Sequence, residues 1–403
     1  MNNFKLALFL ASKSILRTDK WSLALVIIVM LIVFVNLLFT DAVFSGITHS
    51  INANKINYQF GELIIEPAPS ERFIKETAKI VNFLHQDFRV KSVEYFLDAG
   101  AVFKNKKAKD GRDDEQIASL IVGVHTNEDT FNYRNKIIDG NFLSSDAFGE
   151  IVLGKGLSGG YGLGVFPDDL DGMKPGDSVY VGIDGSERKF KIIGILGTKN
   201  FTIDRYAFVK YDDLAKLFGV EGLSTKIVVR LFDKNQARAL KQDLKLAGFN
   251  VYKIQDWQEK IAFGASINKS FEMIGSILRF IGALLAGLVI FIVIFVDILN
   301  KRRQIGIFKA IGIPDSVIIL SYILRGLFYS LIGVIAGYLL MQYVIIAGFK
   351  SHPIPMPMAD VVPLLKAKAL EMSAIFFVLA GFIGSFVPAI KEIRKHVLIL
   401  LYK

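Results

Sequence analysis

The sequence predicts a membrane α-helical fold with four transmembrane helices in a one-plus-three order. After the first helix it predicts a large α+β extracytoplasmic domain of two subdomains, a split βαβ unit and an inserted mostly-β one. Three observations carry this. Four long runs are nearly free of charge, the short segments flanking them are basic, and the stretch 43–270 alternates strand and helix patterns. Of the 403 residues, 52% are hydrophobic and only 21% charged. That is too apolar for an ordinary soluble protein and too charged for a bundle lying wholly in lipid.

Residues 1–20 read as an amphipathic cytoplasmic helix leading into the first span, 21–42. Its core, Trp21 to Thr40, has only Ser22, Asn36 and Thr40 as polar breaks, and as a helix it would be about 30 Å long. The following Asp41-Ala42-Val43-Phe44-Ser45 lacks a small-x-small cleavage site, so an uncleaved anchor is expected. The second span, 271–299, holds an uncharged run from Phe280 to Val296. The third, 317–349, is uncharged from Gly326 onward, and the fourth occupies 371–390. Basic clusters precede the first span (Lys5, Lys13, Arg17, Lys20), separate the second from the third (Lys301, Arg302, Arg303, Lys309), and follow the fourth (Lys391, Arg394, Lys395, Lys403). With four spans all three clusters fall on one side, which the positive-inside rule makes the cytoplasm, and both termini lie there. The proline-rich loop 350–370 then lies outside, and 391–403 is a cytoplasmic tail. Arg279, Asp297 and Arg325 stand near span ends, where snorkelling to the headgroups is the expected arrangement. Gly282, Gly287, Gly333, Gly337, Gly381 and Gly384 permit close helix packing.

Within 43–270, Glu62–Ile65 reads as a strand, Ser70 to Gln86 as a helix, and Val90 to Phe103 as one or two strands. The pattern repeats with a strand Lys226–Phe232 and a helix capped by Asp233 with Gln236 three residues on. That helix ends at Gly248 and leads to a strand Asn250–Ile254. Two such units flanking a domain suggest a split α+β sheet. Between them, about 117–210, strand signals at Ile117–Val124, Glu150–Leu153, Asp177–Ile183, Lys189–Ile195 and Arg205–Val209 define a β-rich insert. Asp110–Glu115 is a charged connection and Tyr211–Phe218 a short returning helix.

Several chemistries are excluded or disfavoured. There is no cysteine, hence no disulfide, thiolate metal site or cysteine nucleophile. Gly154-Lys155-Gly156-Leu157-Ser158-Gly159 fits GxGxxG after a strand, but outside the cell a turn role for its glycines is the expectation. No GxxxxGK[ST] occurs, so any ATP must be handled by another polypeptide. The histidines (49, 85, 125, 352, 396) show no metal-ligand spacing. Ser158 and Ser186 lack a nucleophile-elbow setting, and the lysines of Lys104–Lys109 read as a solvated run. The net charge of +10 is concentrated beside spans, so nucleic acid is not an expected partner. No catalytic constellation, metal site or cofactor site emerges, and the chain is not expected to be an enzyme.

One segment, 300–316, stands out as a basic, helix-prone hairpin between spans. Arg302-Arg303-Gln304-Ile305-Gly306-Ile307-Phe308-Lys309-Ala310-Ile311-Gly312 resembles the R-x-x-E-I-G-I-L-R-A-L-G signature of the MacB/FtsX/LolC-type ABC transporter permeases. The tail from Pro388-Ala389 through Ile393 to Leu401 is similar to that family's P-A-x-x-A pattern, and Ala11–Arg17 resembles its amphipathic approach to the first span. Asp139–Phe142, Glu150–Leu157, Met173–Asp177 and Phe190–Leu196 resemble its MacB-like periplasmic core domain, which would make the split unit porter-like. Gln304 stands where the signature has Glu, Val397 where the tail has proline, and 159–172 is longer than the matching turn.

The resemblance implies a multi-pass protein of the bacterial inner membrane that pairs with a second copy or a paralogue and docks a cytoplasmic ABC ATPase, which binds the ATP. In that scheme Ile305, Ile307, Phe308 and Ile311 would fill an ATPase groove, with Arg302, Arg303 and Lys309 supplying charge. Gln304, Gly306, Ala310 and Gly312 complete the coupling segment. The implied function is ATP-driven export or extraction of a hydrophobic, lipoprotein or peptide-like substrate, with a periplasmic adaptor or lipoprotein as a further partner beside membrane lipids. The alternative is an FtsX-like mechanotransmitter that regulates an external partner such as a cell-wall hydrolase without transport.

Overall fold

A computed structural model describes residues 3–17, 20–105, 116–145, 148–159, 169–263, 265–356 and 359–394. The expected connection Asp110–Glu115, most of the lysine run, much of the turn 159–172 and the tail from 395 onward lie outside them. The chain divides into two compact units. One comprises Met1–His49, Ile267–Ile354 and Val361–Lys403; the other comprises Ser50–Ser266 and Pro355–Asp360.

The chain begins with α1 (Asn3–Leu16) and α2 (Lys20–Lys55). The expected end of the first span at residue 42 falls inside α2. Nothing between 41 and 60 breaks a helix: there is no proline, and the one glycine, Gly46, is needed for packing. A Cβ there would stand 2.4 Å from the Val362 carbonyl oxygen. The helical path stops only at Gly61, in the left-handed region at φ 65°.

The second unit is built on β1 (Leu63–Glu66), α3 (Thr77–His85), β2 (Val90–Lys104), β3 (Gln116–Val124), β4 (Ile137–Gly140), β5 (Glu150–Gly154), α4 (Lys155–Ser158), β6 (Ser178–Ile183), β7 (Ser186–Leu196), β8 (Ala207–Lys210), α5 (Tyr211–Phe218), β9 (Lys226–Leu231), α6 (Ala237–Leu246) and β10 (Lys253–Asp256). Strands β10, β1, β9 and β2 lie side by side in that order, each antiparallel to its neighbour. Each β-α-β crossover therefore spans one strand of the other, a split arrangement. Strand alternation divides the sheet: Leu63, Ile65, Val93, Ile227 and Val229 pack with Ile80 and Leu84 of α3 and Leu240 and Leu244 of α6. Ile64, Phe96 and Val228 enter a different cluster on the opposite face.

The β-rich insert does not stand apart. Pairings β2–β3, β3–β8, β8–β5, β5–β7, β7–β6 and β6–β2 close a six-stranded ring. The ring borrows the second half of β2, whose Leu97, Ala99, Ala101 and Phe103 join the same hydrophobic cluster as Ile121, Leu153, Val181 and Ile192. The two subdomains thus share a fifteen-residue strand and a cluster in which Phe60, Ile64, Phe96 and Val228 meet Val122, Val152, Leu196 and Phe208.

Three local expectations are corrected. α3 starts at Thr77 rather than Ser70, because Ile74 is held in a bridge, its N–H donating to the Ser224 carbonyl at 2.7 Å. Asp233 accepts from the Asn235 N–H at 2.9 Å, while Gln236 bonds back through its own N–H, so a 3₁₀ turn stands where a capping box was expected. β10 begins at Lys253, since Gly248 at φ 97° sends Phe249–Val251 into another such turn.

The first unit continues with α8 (Ala265–Asn300), reached through α7 (Trp257–Phe263), then α9 (Arg302–Ala310), α10 (Asp315–Leu340), α11 (Ile346–Ser351) and α12 (Ala367–Ile393). Four stretches of the described chain are helical, long and apolar enough to cross a membrane: Leu23–Phe60, Met273–Asn300, Asp315–Ser351 and Ala367–Ile393. Met30, Phe34, Ile290, Ile294, Tyr329 and Phe377 are among their shared core, with Phe34 and Phe377 edge to face at 4.9 Å. Gly384 lets α12 touch α8, for a Cβ there would stand 2.5 Å from the Gly287 carbonyl oxygen.

The three ionisable residues near span ends are held in ion pairs between helices. Arg279 forks onto Asp41 with Nε–Oδ2 2.9 Å and Nη2–Oδ1 2.8 Å, and the Ser373 hydroxyl donates to the same carboxylate. Arg325 is 2% exposed and pairs with Asp297 at 2.5 Å, a contact of charges rather than an aligned hydrogen bond. Burying an unpaired charge would cost several kcal/mol, roughly, which explains why each cation has a carboxylate on another helix.

Candidate functional site

The hairpin at 300–316 forms because a chain of helix formers is interrupted at two points. α8 ends at Asn300, and Lys301, at φ −107° and ψ 12°, turns the chain into α9. At the far end Gly312 takes φ 88°, its N–H donating to the Lys309 carbonyl and the Ile313 N–H to the Phe308 carbonyl, both at 3.0 Å. This is the paired bonding of a glycine-terminated helix, which leaves the last carbonyls satisfied. Pro314, extended at ψ 141°, then starts α10.

α9 has two faces. Ile305, 2% exposed, sits in the cluster of Ile298, Ile318, Tyr322, Ala389 and Ile393, with Phe308 and Ile313 packed against it. Gly306 is buried beside it. Arg302 pairs with Glu392 of α12 at 2.9 Å, where the carboxylate is only 4% exposed. Lys309 donates to the Ile393 carbonyl at 2.8 Å and pairs with Asp315 at 3.1 Å, placing a cation on the negative end of α12. Ile305 and Phe308 therefore pack against the chain's own helical core, and Arg302 and Lys309 are engaged within the chain. Helical spacing forces this, since Ile305 and Phe308 are three apart and share one face.

The opposite face is open. Arg303, Ile307, Ala310 and Ile311 follow one stripe and are exposed, Ile307 by 48% and Ile311 by 69%. Gln304 and Gly312 are exposed beside them. Glu392, a residue that the sequence reading passed over, proves to be the anchor for Arg302. Its signal was its isolation among Lys391, Arg394 and Lys395.

The other motifs take structural roles. Gly154 abuts the Asp204 backbone so closely that a Cβ would lie 2.3 Å from its carbonyl oxygen, and Gly159 adopts φ 77°. Ser158 is fully buried. Asp204 organises the adjoining loop, accepting from the Thr198 N–H and hydroxyl at 2.7 Å each, while burial raises its carboxyl above the usual range. His125 lies against Tyr95 and Tyr211, with ring centroids at 4.3 and 4.6 Å, and burial lowers its imidazole below the ordinary value. No group of three or more metal-binding side chains occurs among the described residues.

Comparison with curated proteins finds no match. Among solved structures the chain is similar to the extracellular domain of the noncanonic ABC-type transporter YknZ from Gram-positive bacteria. The identity is 16% and the TM-score 0.35, over 48% of this chain and 98% of that one. It is also similar to the periplasmic region of MacB from Actinobacillus actinomycetemcomitans, at 14% identity and TM-score 0.36, over 55% of this chain and 97% of that one. Residues 276–397, which contain α9, α10 and α12, match the family described as FtsX-like permease C-terminal. That C-terminal part of the chain is thus similar to the FtsX-like permease C-terminal family.

Proposed function

We propose that this chain is the permease subunit of an ABC transporter of the MacB/LolC type, held in the bacterial inner membrane with both termini cytoplasmic. A separate cytoplasmic ATPase binds and hydrolyses ATP. Two permease chains, identical or paralogous, move their external domains of residues 50–266 to export or extract a hydrophobic, lipoprotein or peptide-like substrate. One observation carries this reading. The family match encloses a short interhelical helix whose inner face is anchored and whose outer face offers Arg303, Ile307 and Ile311. A contact for a soluble partner needs both properties: an apolar patch to be covered, and rigid attachment so that a push is transmitted.

The anchoring supports the mechanics. With Ile305 in the core, Arg302 on Glu392 and Lys309 on the end of α12, a force on the outer stripe moves α9 together with α10 and α12. Photo-crosslinkers placed at positions 307 and 311 in intact cells test the contact. The expected adduct is a polypeptide carrying a nucleotide-binding cassette. Adducts from both positions that contain only lipid or no protein at all would overturn the docking assignment.

A further inference from the structure

A cleft of about 390 Å³ opens between α1, α9 and α10, lined on its polar side by Lys13, Ser14, Arg17, Lys301, Gln304 and Arg325. Four of these six are cations. Asp297 meets two of them, Lys301 at 2.9 Å and Arg325 at 2.5 Å, so one carboxylate faces two positive charges. Lys13 and Arg17 have no carboxylate partner among the described residues. Arg325 is 2% exposed, its guanidinium is set 3.8 Å from the Tyr322 ring centroid, and its Nε–H has no hydrogen-bond partner. A buried donor without an acceptor, in a cleft with surplus positive charge, is a site built for an anion.

The remaining walls say which anion. Leu10, Ile307, Phe308 and Ile318 give the cleft an apolar side, which a free phosphate would leave uncovered. α1 adds exposed apolar residues beside it, Phe4 at 54%, Leu8 at 51% and Phe9 at 53%, the surface expected of a helix lying in a membrane interface. We propose that this cleft binds the phosphate headgroup of an anionic lipid, with the Arg325 side seating the phosphate and the apolar wall receiving the start of an acyl chain. Basic pockets between helices at the cytoplasmic face are the general form of such sites. The site stands on the cleft alone and does not require the ATPase reading.

The test uses the purified full chain and native mass spectrometry, with phosphatidylglycerol and phosphatidylcholine of identical acyl chains added separately. Phosphatidylglycerol is expected to be retained. The double variant K13Q/R17Q, which alters two exposed side chains, should retain it about tenfold less. Melting temperatures in phosphatidylcholine confirm that the variant is folded. Equal retention of the two lipids, or unchanged retention by the variant, overturns the proposal. Inorganic phosphate is tested alone; protection equal to that by phosphatidylglycerol overturns the lipid assignment in favour of a soluble anion. A photo-crosslinker at position 17 that captures a polypeptide instead of lipid overturns it in favour of a protein partner.

Discussion

Replacing Arg279 by methionine removes both donors that fork onto Asp41 and leaves a carboxylate, 4% exposed, that keeps the Ser373 hydroxyl as a donor. Breaking a fully buried ion pair from one side costs roughly 3–5 kcal/mol. Arg279 keeps 21% of its side-chain exposure, so water can still reach the site, and the expected loss falls to about 2–3 kcal/mol. Asp41→Leu alone should cost a similar amount, because it strands the guanidinium. The double variant removes both charges and should return to within about 1 kcal/mol of the parent. The assay is a double-mutant cycle on unfolding of the purified protein in mixed micelles. Single variants that each lose under about 1 kcal/mol, with effects that simply add, would mean that Arg279 finds solvent on its own, and the pairing argument would fail.

Other expectations concern packing and pH. Gly154→Ala should destabilise the sheet unit by about 2 kcal/mol or more, since the added methyl meets the Asp204 backbone. Gly100→Ala, with open space at its Cβ, should be neutral by the same thermal melt. Ile305→Ala should cost roughly 2–4 kcal/mol by opening a cavity under α9, whereas Ile307→Ala should leave the melting temperature unchanged. Glu94 is 3% exposed, and burial pushes its carboxyl up to about 8. The folded chain therefore holds a proton that the unfolded chain releases, and stability declines as pH rises from about 4.5 toward about 8. Glu94→Gln should remove that decline. Hydrogen exchange in β2 and β9 should match the parent at about pH 4 and be slower than the parent at about pH 8.5. No difference at the higher pH would mean that Glu94 ionises without penalty.

What the sequence could disclose follows from which signals are local. The uncharged runs, the strands with alternating burial and the glycine that ends α9 are written in contiguous residues. Closure of the β2-β3-β8-β5-β7-β6 ring is not, because β2 alone joins β9 with one half and β3 and β6 with the other. Nothing in Val90–Lys104 marks the point where its partners change. The ion pairs were equally invisible, since Asp41 and Arg279 are far apart in sequence and meet only when their helices pack. For the hairpin, periodicity alone separates Ile305 from Ile307, but it cannot say which side is inward. That depends on Glu392 and Ile393, supplied by a helix 84 to 90 residues later.

Gln304 joins the two functional arguments. It lies in the first turn of α9, is exposed, and lines the cleft with Lys13, Arg17, Lys301 and Arg325. The R-x-x-E-I-G pattern has a carboxylate at that place, which would bring a fixed anion among four cations and close to the positive end of a helix. Those two effects predict that Gln304→Glu stabilises the lipid-free protein by about 0.5–1 kcal/mol. They also predict competition: an internal carboxylate takes up the charge that a lipid phosphate would otherwise meet. Retention of phosphatidylglycerol should therefore fall in Gln304→Glu while its melting temperature in phosphatidylcholine rises. A rise without lower retention would place the lipid elsewhere. Lower retention without a rise would mean that position 304 does not reach the cations, and the cleft's charge would then be set by Lys13 and Arg17 alone.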